Sequence, residues 1–150
     1  MMKKITLGLL LILASCGFEP IYINKDLNNI EFKKISLEGE ININKSIINS
    51  LKLKENTIDQ SLNEIKLITL YNINEASKDS RGVVETYTSS ISVNVNINKN
   101  DNSEIKRNFY KNFTYNAKDN KFELTKYQEE IKQNLVNQIT QEMFLFLNIQ

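Results

Sequence analysis

Histidine and tryptophan are absent from this sequence, and cysteine and proline occur once each. Without histidine there is no Ser-His-Asp triad, no histidine-containing zinc site and no imidazole general base, which removes much of hydrolytic enzymology. A single cysteine, Cys16, leaves no disulfide within the chain. Four glycines and one proline are too few for a linker-rich or low-complexity protein. No Gly-rich phosphate loop, Cys-rich metal pattern or nucleophile motif is present. The expectation is therefore a protein that is not an enzyme and needs no cofactor or metal. A carboxylate-based lipid-modifying activity is the enzymatic alternative.

What is present fits one domain. At 150 residues, 41% hydrophobic and 25% charged, the chain can bury a sizeable core. Asparagine, isoleucine and lysine are common, but asparagine is interleaved with regular hydrophobic periodicity, unlike a prion-like tract. Formal net charge is +1. Removing Lys3 and Lys4 leaves 17 of the 19 basic residues against 18 acidic ones. No overall basic field points to nucleic acid.

The amino terminus has three parts. Met1–Lys4 carries two positive charges, Ile5–Leu13 is almost wholly apolar, and Ala14 and Ser15 are small. This is a secretory-signal layout, with an apolar run too short to cross a bilayer comfortably. Leu13-Ala14-Ser15-Cys16 resembles a bacterial lipobox, in which the thiol receives a diacylglycerol, the chain is cut before the cysteine, and the new amino group is acylated. The alternatives are a buried free cysteine or a plain signal peptide followed by cysteine. Acylation accounts for a lone cysteine in an oxidising compartment. At about 0.8 kcal/mol per buried methylene, several chains on one residue hold a protein on a membrane. Gly17 follows where an aspartate would favour the inner membrane, so the resemblance to sorted lipoproteins implies the outer membrane, periplasmic side. The expected division is 1–15 signal peptide, 16–29 lipidated tether and 30–150 one sandwich domain.

Within that domain the periodicity predicts a β-α-β-β-β-α order. A first strand near Ile30–Glu38 slips phase at Lys33-Lys34, which a bulge would explain, and Gly39 breaks it. Ile43, Ile47, Ile48 and Leu51 share one face of a helix over about Ile43–Leu53, though isoleucine also favours strand. Strand two runs near Asn63–Asn74, and the polar stretch 75–82 is expected as a loop. From Tyr87 to Asn98 apolar and polar residues alternate strictly, then the turn at 98–103 leads to a strand in which Ile105, Phe109, Phe113 and Tyr115 share a face. Those two strands predict a long antiparallel hairpin. A last helix, about Glu123–Leu147, carries Leu124, Tyr127, Ile131, Leu135, Ile139, Met143 and Phe146 as an apolar stripe, with Thr125 and Gln128 a candidate capping box and a start a few residues earlier the alternative. The fold class is α+β: a two-layer sandwich with two helices on one face of a four-stranded mixed sheet and a right-handed β-α-β crossover.

With the lipobox, the stretch Cys16, Gly17, Phe18, Pro20, Ile21 and Tyr22 and this element order, the chain resembles the LPS-assembly lipoprotein family, LptE, in its alphaproteobacterial form. The resemblance also covers the hairpin, the segment 112–122 and the C-terminal helix. It implies a lipoprotein that plugs an outer-membrane β-barrel, helps it fold and assists lipopolysaccharide delivery to the outer leaflet. The partners it implies are that barrel, lipopolysaccharide and the membrane through Cys16. The rival from the same class is an auxiliary lipoprotein of another envelope lipid-transport system. Arg81, Lys106, Arg107 and Lys111 are candidates for anionic lipid A phosphates. Their simpler reading is a solvated strand face with acidic residues close by. Strand parity puts Arg107 and Lys111 with Phe109 and Phe113, and Lys106 on the other face. The tail Met143–Ile149 is apolar nearly all round: it is expected to pack on the sheet of its own domain, though not all of it can face one way, and contact with the barrel or a lipid chain is the alternative.

Overall fold

Alternation along Val84–Asn98 builds the spine of the molecule. Ile91, Val93, Val95 and Ile97 turn to one side and are buried, while Thr88, Ser90, Ser92, Asn94 and Asn96 turn to the other. The computed structural model describes residues 30–149. The expected signal peptide 1–15 and tether 16–29, with Cys16 and the Gly17–Tyr22 motif, lie outside the described residues. In chain order the elements are β1 (Glu31–Phe32), β2 (Lys34–Gly39), α1 (Ile41–Leu51), β3 (Lys54–Glu55), β4 (Glu64–Lys78), β5 (Val84–Asn98), β6 (Glu104–Asn116) and α2 (Lys121–Leu147). The main sheet has the order β2-β4-β5-β6, with β2 parallel to β4 and the other pairs antiparallel. Both helices lie on the face carrying the odd-numbered residues of β5. The molecule is the α+β sandwich that the periodicity implied.

Four details differ from the sequence reading. The slip at Lys33 is a change of partner and not a bulge within one strand. Before it β1 pairs with the short β3, after it β2 pairs with β4, and the Lys33 N–H donates to the Asn63 carbonyl (2.8 Å). Of residues 75–82, expected as a loop, the first four are strand and only 79–82 form the turn. β4 continues to Lys78 through register shifts at Glu75–Ser77 and Ser77–Lys78, irregularities that hide it from a period-two reading. Helix α1 spans Ile41–Leu51, not Ile43–Leu53, and ends on Lys52 in the left-handed region (φ 52°). Leu53 is buried all the same, as the chain leaves toward β3. Helix α2 begins at Lys121, where Asn120 caps it by accepting from the N–H groups of Phe122 (2.9 Å) and Glu123 (3.4 Å). Thr125 forms no capping box; its hydroxyl donates to the Lys121 carbonyl one turn back (3.0 Å).

Two three-residue loops join the long strands. Asp79 and Val83 close the first, with Gly82 at φ 81°, and Lys99 and Ser103 close the second, with Asn102 at φ 63°. In each loop the left-handed residue, Gly82 or Asn102, stands two positions before the next strand begins, the three-residue hairpin arrangement. Their positions define the two ends of the molecule. At the Ile30 end lie the chain's arrival at β1, the loop 56–63, the Lys99–Ser103 turn and the C-terminus of α2. At the Asp79 end lie the other turn and the N-terminus of α2.

The helix layer is uneven. Ile43, Ile47 and Leu51 of α1 and Ile131, Leu135, Val136, Ile139 and Met143 of α2 are buried with Ile65, Leu67, Val93 and Val95 of the sheet. Tyr127 meets Tyr115 edge-on and Phe146 meets Phe109 likewise, each with centroids 5.7 Å apart, so α2 runs antiparallel to β6. At 1.5 Å per residue α2 is roughly 40 Å long and α1 only about 16 Å. β4, at 15 residues, extends roughly 50 Å. Hence α1 covers only the half of the sheet nearest Ile30.

Candidate functional site

The sheet face away from the helices carries no element across it among the described residues. Register alone fixes its composition. Ile68, Leu70, Asn72 and Asn74 of β4 stand beside Asn94, Ser92, Ser90 and Thr88 of β5, which stand beside Asn108, Tyr110, Asn112 and Thr114 of β6. None of these twelve side chains is a carboxylate, ammonium or guanidinium. Charged groups on this face gather at the Ile30 end instead, as Lys34, Glu38, Glu64, Lys66, Glu104 and Lys106. The result is an uncharged strip roughly 25 Å long and three strands wide.

Its side chains are already hydrogen-bonded to one another. Asn108 Nδ2 donates to Ser92 Oγ and to Asn94 Oδ1, both at 2.8 Å. The Thr88 and Thr114 hydroxyls lie 2.7 Å apart, and Asn112 Nδ2 donates to the Tyr110 hydroxyl (3.2 Å). Leu70 and Tyr110 are more than half exposed. Such a face suits a hydrated polar neighbour: each amide and hydroxyl can exchange a partner, and no charge has to be desolvated. The sequence reading saw these residues as the polar phase of an alternation. The signal it passed over is their identity, since every polar position from Thr88 to Asn98 on this side is threonine, serine or asparagine.

The four basic candidates fall in separate places. Arg81 sits in the turn at the Asp79 end, where its Nε and a terminal nitrogen donate to Asp79 Oδ2 (3.0 and 2.8 Å). Asp79 also accepts the backbone N–H groups of Arg81 (2.8 Å) and Val83 (2.9 Å) through Oδ1. The Val83 N–H first, then the Arg81 side chain, hold the Asp79 carboxyl below its ordinary value. Lys106 lies near the opposite end on the open face, paired with Glu104 (2.7 Å). Arg107 and Lys111 lie on the helix face, opposite Val95 and Ile91. Lys111 is bridged to Glu142 of α2 (2.5 Å), and Arg107 is exposed. Ten ladder steps separate Lys106 from Asn116 at the Asp79 end, which is more than roughly 30 Å. The structure does not bring the four together.

On the helix side, near the Asp79 end, buried hydroxyls form a second cluster. Ser89 Oγ lies 3.1 Å from the Tyr115 hydroxyl and 3.5 Å from that of Tyr71. Burial pushes the Tyr71 phenol above its ordinary value. Tyr87 and Tyr115 stack at 6.0 Å, and Lys118 Nζ stands 4.6 Å from the Tyr127 ring centroid. Among the described residues no group of three or more Asp, Glu, Cys or His side chains is placed to hold a metal, and no helix is long and apolar enough to cross a membrane.

No protein-family model matches the chain, and no curated protein matches it in sequence. Solved structures share its fold. The rare lipoprotein B from Shewanella oneidensis aligns over 77% of this chain and 98% of its own, at 13% identity and a TM-score of 0.54. An uncharacterized lipoprotein B from Nitrosomonas europaea aligns over 81% of this chain and 86% of its own, at 14% identity and a TM-score of 0.58. At such identities the likeness is one of fold, and it is a fold of bacterial lipoproteins.

Proposed function

We propose that this chain is an outer-membrane lipoprotein, anchored through acylated Cys16 on the periplasmic side, that plugs and supports the β-barrel exporting lipopolysaccharide. It helps that barrel assemble and assists insertion of lipopolysaccharide into the outer leaflet. The observation that carries this reading is the uncharged amide-and-hydroxyl strip on a sheet roughly 50 Å long. A wide barrel has a polar, hydrated lumen, and a rod with such a face can lie against its wall without burying a charge. The lipobox-like Leu13–Cys16 and a fold shared with bacterial lipoproteins support the anchored half of the reading.

No chemical step is assigned to the protein: its role is steric and hydrogen-bonding, in filling a lumen and lining it with exchangeable partners. The isolated basic residues support no common phosphate site, so any lipopolysaccharide contact falls on single side chains such as exposed Arg107. Depletion in living cells tests the proposal. The expected result is loss of surface lipopolysaccharide together with a fall in correctly assembled barrel. Normal levels of both, or capture of a periplasmic lipid-shuttle complex after gentle detergent extraction, would assign the chain to a different transport system.

A further inference from the structure

We infer that the Ile30 end of the domain rests directly on the bilayer, with Ile58, Leu145 and Ile149 entering the acyl-chain interface. The inference rests on the anchored reading above. These three side chains are 91%, 55% and 81% exposed. Ile58 lies in the loop 56–63, and Leu145 and Ile149 lie at the C-terminal end of α2, all at the end where the chain arrives at β1. The same end is tied together: Asn100 of the Lys99–Ser103 turn donates to the Ser61 carbonyl, and the Ile30 carbonyl accepts the Lys54 N–H (3.0 Å). The tail Met143–Ile149, too apolar all round to face one way, packs on the domain through buried Met143 and leaves Leu145 and Ile149 exposed.

Exposure alone does not choose this end, because Val83 and Phe122 are exposed at the other. The attachment chooses it. Thirteen residues lie between Cys16 and Ile30, and fourteen Cα–Cα steps span at most about 50 Å. The Ile30 end can touch the membrane with most of that length to spare. The Asp79 end lies a further strand length away, roughly 50 Å, and reaches the lipid only when the domain lies flat or the segment runs taut along it. An anchored body samples the near contact far more often, and exposed leucine and isoleucine gain by leaving water there. Basic and acidic residues are mixed at this end: Lys33 pairs with Glu64 (4.0 Å) and Lys106 with Glu104 (2.7 Å), and Lys52, Lys54 and Lys99 share the end with Glu31, Glu55, Asp59 and Asp101. Net charge there is small, and the contact, chiefly apolar, should persist in high salt.

The absence of tryptophan makes a clean test. The mature acylated protein carrying Leu145→Trp, Ile149→Trp or Ile58→Trp is reconstituted in phosphatidylethanolamine and phosphatidylglycerol vesicles with brominated acyl chains. Val83→Trp serves as the far-end control. The expected result is bromine quenching and a blue-shifted emission at the first three sites, unchanged by salt, with neither at position 83. Acylated, vesicle-bound protein that shows no quenching at any of the three sites, or equal quenching at position 83, would overturn the surface while leaving the anchor intact. Mass spectrometry finding an unmodified Cys16 thiol would overturn the anchored reading and this inference with it.

Discussion

Gly39 and Asn44 fix the corner from which α1 springs. Gly39 has φ 76°, and a Cβ there would fall on the Thr69 carbonyl oxygen, which already accepts the Glu40 N–H (2.9 Å). Gly39→Ala should therefore lose more than the roughly 1–2 kcal/mol of a left-handed residue alone, read as a lowered urea midpoint. Asn44 is fully buried, accepting from the Thr69 hydroxyl (2.6 Å) and donating to the Glu38 carbonyl (2.8 Å). Asn44→Leu would strand both partners and should cost about 1–3 kcal/mol in the same measurement. Asp79 provides a pH test. Its folded carboxyl titrates below the unfolded value near 3.9, so its contribution is present above about pH 4 and is lost as pH falls through the folded pKa. Wild type should be more stable than Asp79→Asn at pH 7, and the two should converge in acid. Gly39 was legible in the sequence as a strand breaker, whereas Asn44 was not: one of three asparagines in α1, it shows its role only when Thr69 is brought opposite.

At the scale of elements, legibility followed regularity. β5 and α2 announce themselves because every second or every third and fourth residue is apolar, and packing agrees with that period. Where the backbone departs from its period the sequence misled: at Lys33 the chain changes partner, and beyond Glu75 two register shifts disguise strand as loop. The α2 start lies two residues before Glu123, within the earlier start the sequence allows; its cap was not legible because Asn120 follows a polar run that reads as turn, yet its side chain satisfies the first N–H groups. Asn120→Ala should cost about 0.5–2 kcal/mol and fray the first turn, seen as faster amide exchange from Phe122 onward. Met143→Ala, in the fully buried centre of the α2 stripe, should cost about 2–5 kcal/mol. The uncharged strip lay in plain view as Thr, Ser and Asn, but which strands it joins depended on register, and the separation of the four basic residues did too.

At the scale of the whole molecule, length and asymmetry matter most. Three strands of 13 to 15 residues form a sheet far longer than α1 can cover, so one face is a packed core and the other an open hydrogen-bonding surface. Charge on that surface gathers toward the end where the chain arrives, and the strip from Ile68 to Asn74 and its neighbours on β5 and β6 is free of it. On the proposed anchoring through Cys16, a body built this way can slide into a polar enclosure from its Asp79 end while its Ile30 end stays at the bilayer. The measurement that bears most directly on this account is photo-crosslinking in intact cells from a probe replacing Asn94, on the strip, with the adduct identified by mass spectrometry. The account expects a large outer-membrane β-barrel protein joined at a residue of its lumen. An adduct with a periplasmic or inner-membrane lipid transporter, or no adduct at all from this face, would contradict it.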